Sequence, residues 1–173
     1  MTPSTKAEKG GHDVSASREK LLELTGMPPE DFDRAAELAM ALFAAGQRIC
    51  AERGLILVDT KYEFGKKKDG QIVVIDEIHT PDSSRFWFAS SYEERFRAGG
   101  DPESFDKEYV RRWLAARGFA GDGPIPKIPD EVKIEATSRY VEAVETIMGE
   151  IFVPDLSEDP LARIRRNLGL AKA

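Results

Sequence analysis

Glu63 and Asp76 stand on either side of Asp69-Gly70, a dipeptide that favours a two-residue hairpin turn because both residues tolerate positive φ. With Asp69 and Gly70 as the central turn pair, the antiparallel register sets Glu63 directly opposite Asp76 and puts Asp59 and Lys61 on the same face. Opposed side chains have Cβ atoms only about 5 Å apart, and like charges there are destabilising unless a cation lies between or beside them. A divalent metal resolves that repulsion. Oxygen donors in a small cluster suit Mg²⁺, which keeps several waters and shares its coordination with substrate phosphates. The alternative is a solvated ionic face, neutralised by Lys61 and by the lysines near the turn. On the reverse side, Val58, Tyr62, Phe64, Val73 and Ile75 form a core-like face.

The segment Asp76-Glu-Ile-His-Thr-Pro-Asp-Ser-Ser-Arg-Phe-Trp87 follows the return strand and delivers hydroxyls, carboxylates and a guanidinium at the same end as Asp59. Arg85 could fork onto a phosphate with serine hydroxyls adding donors; the competing reading of Pro81 to Ser84 is a turn followed by a helix cap. His79 has no partner at ligand spacing and reads as a surface or structural imidazole. Gly65-Lys-Lys-Lys-Asp-Gly70-Gln71 lacks the Lys-Ser/Thr of a phosphate-binding loop and is rejected as one.

The elements that must position these groups are legible from periodicity. A short helix capped by Ser15 or Ser17 is expected to end at Gly26, and a longer one opens at Asp31 or Asp33. Its stripe of Phe32, Ala36, Ala39, Phe43, Gly46 and Cys50, with Leu42 and Ile49 beside it, runs to Gly54. From Leu55 the period changes to two, predicting one strand through Phe64, with Gln71 to Ile78 returning. His79 to about Ser104 reads as a long functional loop. Helices follow over about Phe105 to Arg117 and from Asp130 to Gly149, the latter with Val132, Ala136, Tyr140, Val144, Ile147 and Met148 inward. A small one is expected within Ser157 to Leu168, docking Leu161, Ile164 and Leu168 on the domain or on a partner.

Composition narrows the classes. The 173 residues carry 25 Lys+Arg against 31 Asp+Glu, a net charge of −6, which removes the electrostatic footprint of a general nucleic-acid binder. With 41% hydrophobic residues the chain can bury a core. The single cysteine, Cys50, cannot form an internal disulfide or a multi-thiolate metal site. No apolar run could span a bilayer and the first residues lack a signal-peptide core, so the expected location is the cytoplasm, with no membrane partner.

Three ordered motifs now acquire a meaning together: Ile56-Leu-Val-Asp-Thr-Lys-Tyr-Glu-Phe-Gly65, Asp76 through Trp87, and Ser104-Phe-Asp-Lys-Glu-Tyr-Val-Arg-Arg-Trp-Leu114. They resemble the phosphoribosylaminoimidazole-succinocarboxamide synthase (SAICAR synthase) family. The opening Thr2 to Asp13 resembles that family's substrate-facing loop. The resemblance implies an α+β fold, an antiparallel sheet with packed helices like the C-terminal lobe of an ATP-grasp-like SAICAR synthase. It implies an ATP-dependent ligase of purine biosynthesis that joins L-aspartate to carboxyaminoimidazole ribonucleotide and releases ADP and phosphate, with Mg²⁺ as cofactor. By the same resemblance Glu63 and Asp76 face the metal and its nucleotide. Asp59 and Lys61 face the reacting carboxylate or imidazole. Ser84 and Arg85 hold the ribonucleotide, with Arg85 at its phosphate, and Asp82 orders that loop. Lys6 lies in the family's mobile loop near the substrates, and Lys107 and Arg111 are further candidates for the anionic pocket.

The family normally begins with a Gly-rich nucleotide-covering lobe, and here the sequence starts inside the loop that follows it. The expected organisation is a substrate-facing loop over 1–14, one α+β domain over 15–153 and a tail or short helix over 154–173. Candidate partners are the three small substrates, a separate N-terminal lobe and a second copy of the chain. The isolated chain is expected to be inactive or weak. The alternative is a non-catalytic ribonucleotide- or metal-binding module, or an inactive fragment.

Overall fold

The computed structural model describes residues 1–5, 14–105, 108–121 and 123–170. Lys6 and Lys107 therefore lie outside the described residues. The elements run α1 (Arg18–Thr25), α2 (Pro29–Glu52), β1 (Leu55–Thr60), β2 (Glu63–Lys66), β3 (Ile72–Ile75), β4 (Ser84–Phe88), α3 (Ala89–Arg97), α4 (Glu108–Ala115), α5 (Asp130–Met148) and α6 (Pro160–Asn167). The fold is α+β, with two small antiparallel sheets, β1 with β4 and β2 with β3.

Local chemistry sets the helix ends. The Ser17 hydroxyl accepts the Lys20 amide at 3.2 Å to cap α1, and Gly26 closes it in the left-handed conformation. The next helix opens on Pro29 rather than on Asp31 or Asp33. Proline at the first helical position lacks only an amide that would have no helical partner, so the Pro28-Pro29 break itself starts α2. Phe32, Gly46 and Cys50 of its stripe are buried, while Ile49 is exposed.

The core gathers Cys50 from α2, Leu55 and Leu57 from β1, Phe86 from β4, Phe105, and Ala143 from α5, with Phe43, Phe88 and Ile147 packed against them. The inward side of α5 is centred on Val132 and Ala143, so Val144 and Met148, expected inside, are exposed. Leu161 and Ile164 of α6 and the capping Leu168 are exposed as well.

Three expectations about the strands are corrected. The long strand from Leu55 divides at Lys61-Tyr62, and its halves join different sheets. The stretch from His79 to Ser104 is not one loop, because it contains β4 and α3. Ser84 and Phe86 alternate inward against Arg85, which is exposed, and Phe86 is among the most buried side chains. The hairpin register differs by one residue: Glu63 pairs with Ile75, Phe64 with Val74, Gly65 with Val73 and Lys66 with Ile72. Gly70 donates to Lys67 O at 2.9 Å and Lys67 N to Gln71 O at 2.9 Å, while Gly70 alone in the turn has positive φ, at 88°. The Asp-Gly pair thus occupies the last two positions of a four-residue turn closed by a glycine bulge, not the two central positions of a tighter turn. Ile75 and Val73 accordingly share Glu63's face, and Phe64 shares the other with Val74 and Ile72.

Candidate functional site

Two irregularities in the strands aim the polar residues. The first is a bulge in β1, where Leu57 pairs with Phe86 but Asp59 pairs with Arg85, leaving Val58 as the extra residue. In an unbroken strand Asp59 would share the face of buried Leu57; the bulge sends Leu57 into the core and Asp59 outward. There Arg85 forks onto it, Nε donating to Oδ1 at 2.9 Å and Nη2 to Oδ2. This hydrogen bonding holds the Asp59 carboxyl below the usual carboxylate range. Both side chains stay about half exposed, 47% for Asp59 and 56% for Arg85.

The second irregularity is Asp76, which follows the last residue of β3 with φ of 69°. Aspartate tolerates this left-handed backbone better than most residues, and the kink ends strand alternation. Glu63 and Asp76 therefore do not oppose each other in the ladder, yet both line one cleft of about 290 Å³ together with Lys61, Glu77, Asp82 and Ser83. Glu63, only 16% exposed, is paired with Lys61 Nζ at 3.2 Å. Asp82 Oδ1 accepts a 2.7 Å hydrogen bond from Tyr140 Oη, which ties the loop to α5. The turn from Thr80 to Ser83 is closed by Ser84 N donating to Thr80 O at 2.9 Å, and the Thr80 hydroxyl donates to Glu77 Oε2.

Ser84 itself is buried, and its hydroxyl donates to Thr60 Oγ1 at 2.8 Å. Ser83, not Ser84, lines the cleft. Arg111 on α4 is not among the cleft-lining residues either. A second, larger cavity of about 1040 Å³ adjoins the first. One wall is apolar, with Phe32, Ala36, Ala39 and Phe43 of α2, and the other carries Asp59, Lys61, Tyr62 and Glu63.

One pair escaped sequence reasoning. Tyr62 Oη and His79 Nε2 lie 2.5 Å apart, and the imidazole rests against Gly46 of α2, where an added Cβ would come within 2.3 Å of His79 Cε1. Burial pushes the His79 imidazolium toward its neutral form and raises the Tyr62 phenol above its ordinary value, so the contact joins two neutral groups. The available signal was the glycine inside α2's apolar stripe, which marks a close approach.

Four carboxylates and one lysine surround a small polar cleft, which is backed by a larger half-apolar cavity. Among the described residues no group of three or more His, Cys, Asp or Glu side chains is close enough to hold a metal by itself. A divalent cation held by two of these carboxylates would have to complete its coordination with waters and phosphate oxygens, as Mg²⁺ commonly does. The SAICAR synthetase family model matches residues 1–126, and the chain belongs to that family. It is 45% identical over 170 residues to the phosphoribosylaminoimidazole-succinocarboxamide synthase of Bacteroides thetaiotaomicron, covering 97% of this chain and 54% of that protein. Among solved structures, SAICAR-synthase from Saccharomyces cerevisiae complexed with SAICAR superposes with a TM-score of 0.67 at 35% identity, over 82% of this chain and 46% of that one. A type-2 SAICAR synthetase in complex with ADP gives 0.59 at 28% identity, over 83% and 48%. The chain spans about half the length of the curated relatives it matches. No helix among the described residues is long and apolar enough to cross a membrane.

Proposed function

We propose that this chain carries the acidic, ribonucleotide-facing half of an ATP-dependent ligase that joins L-aspartate to carboxyaminoimidazole ribonucleotide. The observation that carries the reading is the convergence of Lys61, Glu63, Asp76, Glu77, Asp82 and Ser83 on one cleft beside the Asp59–Arg85 fork. Relatives of the same family, solved with SAICAR and with ADP, support it.

In this reading Glu63 and Asp76 hold Mg²⁺, which when bound supplies charge stabilisation to a transferring phosphoryl group. Lys61 lies beside Glu63 and faces the reacting carboxylate, stabilising negative charge as that carboxylate is activated for attack by the aspartate amine. The fork orders the Arg85 guanidinium, which lies outside the lining of both cavities and whose remaining N–H groups would have to meet the ribonucleotide phosphate from there. Asp82, anchored by Tyr140, holds the loop that closes the pocket. Ser83 takes the donor role that the sequence gave to Ser84. Lys6 remains a candidate beside the substrates, and Lys107 one for the anionic pocket. A cytoplasmic setting with its ATP supply suits this chemistry, and so does a lone buried thiol at Cys50.

Titration of the purified chain with Mn²⁺ tests the core of the proposal. Glu63→Gln and Asp76→Asn should each weaken binding by about tenfold or more, and asparagine keeps the left-handed backbone at position 76 accessible. Wild-type affinity in both variants would overturn it. A second reading is a binding module without turnover, which the polar cleft would serve through ligand contacts alone. Calorimetry with the ribonucleotide alone, beside an assay of ADP release with all three substrates, separates the two.

A further inference from the structure

The two walls of the cleft come from different stretches of chain. Lys61 and Glu63 sit at the junction of β1 and β2, whereas Asp76, Glu77, Asp82 and Ser83 belong to the segment between β3 and β4. Among the described contacts, the backbone bond from Lys61 N to Ser83 O at 3.0 Å and the Tyr62 Oη–His79 Nε2 contact at 2.5 Å link these walls. The side-chain link joins two residues whose near neighbours in the chain include residues of the cleft. Tyr62 is flanked in sequence by Lys61 and Glu63, and His79 lies between Glu77 and Asp82.

The placement of His79 is over-determined. Its backbone has φ of 55°, uncommon for a residue other than glycine, and its ring meets the Tyr62 ring edge-on with centroids 5.6 Å apart. Its Cε1–Nδ1 edge occupies the notch above Gly46, which any larger residue would fill. A residue that merely filled space would need neither the left-handed backbone nor a polar contact to a tyrosine beside a carboxylate.

We propose that His79 is a positioning residue for the acidic cleft: seated on Gly46 and hydrogen-bonded to Tyr62, it fixes the separation between Glu63 and the loop carrying Asp76 and Asp82, and so tunes divalent-cation affinity. The proposal rests on the reading of the cleft as a cation site. His79 touches no cation itself; its effect passes through Tyr62 to the backbone of Glu63, as partners behind metal ligands commonly act.

The test uses the full chain and Mn²⁺ alone as probe, with affinity read by electron paramagnetic resonance and thermal midpoint read alongside. His79→Leu and Tyr62→Phe should each weaken Mn²⁺ binding by about tenfold, the lower end for removal of such a partner. The double variant should be no weaker than either single one, because both break one link. His79→Gln, whose amide can reach the phenol, should recover most of the affinity. Tyr62→Phe removes a single oxygen and keeps the ring, so it reports even if His79→Leu does not fold. Wild-type affinity in folded Tyr62→Phe, with Glu63→Gln still impaired, would overturn the positioning role and leave the cation site standing. No binding by the wild-type chain would overturn both.

Discussion

Replacing Gly46 by alanine should destabilise the chain, against the usual direction for glycine in a helix interior. Helix propensity alone would favour alanine by about 1 kcal/mol. The new methyl, however, would lie 2.3 Å from His79 Cε1, 2.7 Å from its Nδ1 and 2.8 Å from Leu57 Cδ2. Leu57 is buried in the core and cannot withdraw, so the clash falls under overpacking, at about 1–3 kcal/mol. The clash with Leu57 persists even if the imidazole swings out, and that movement in addition loses the bond to Tyr62, at about 1 kcal/mol. Propensity offsets the hydrogen bond and leaves a net loss of about 1–3 kcal/mol. For a domain of this size each kcal/mol lowers the midpoint by roughly 2–4 °C. Urea denaturation followed by tryptophan fluorescence should show a lower midpoint concentration at unchanged slope. Adding His79→Ala to the Gly46→Ala chain should recover part of the loss, because the ring being struck is gone. A Gly46→Ala chain as stable as wild type would refute the close approach on which this reasoning depends.

Two further perturbations probe other parts of the molecule. Phe86→Ala should cost about 3–5 kcal/mol, since Phe86 is fully buried at the centre of the β1–β4 layer; a loss below about 1 kcal/mol in the same denaturation assay would show that the core is centred elsewhere. Asp59→Asn should have little effect at neutral pH, well under about 1 kcal/mol, because both members of the Arg85 pair are about half exposed and solvent screens them. The folded-state pKa of Asp59 is depressed, so its contribution is complete above the unfolded carboxyl value of about 3.9 and disappears as pH falls through the lower folded value. Wild type and Asp59→Asn should therefore converge in stability below about pH 4; a gap that widens with acidification would contradict the assigned sign.

The parts of the fold legible in the sequence were those governed by local chemistry. Ser17, Gly26 and Gly149 mark helix ends because capping involves only neighbouring residues, and the stripe on α2 is visible because its period is fixed by helix geometry. The hairpin was legible but its register was not: Asp-Gly suits two turns that differ by one residue, and strand sequence alone does not choose between them. Ser84 to Phe88 was hidden by its polar start, although alternation of Ser84, Phe86 and Phe88 against Arg85 and Trp87 is present. In the candidate site, Glu63 and Asp76 line one cleft, but the direct opposition expected of them is contradicted by the register. Their convergence depends on a left-handed residue, not on cross-strand pairing. The inward turn of Ser84 and the seating of His79 on Gly46 depend on packing between segments far apart in the chain, which periodicity does not encode.

The β2–β3 ribbon has only two strands, too few to hold their shape unaided in water. Its outer end is moored instead by Lys66 Nζ, which reaches both oxygens of Asp31 on α2 at 3.0 and 2.7 Å. The acidic wall of the cleft is thus an outrigger of the long helix. Amides of the ribbon should be the first near the site to trade hydrogen for deuterium, and whatever ligand grips Glu63 would slow that trade along the whole ribbon.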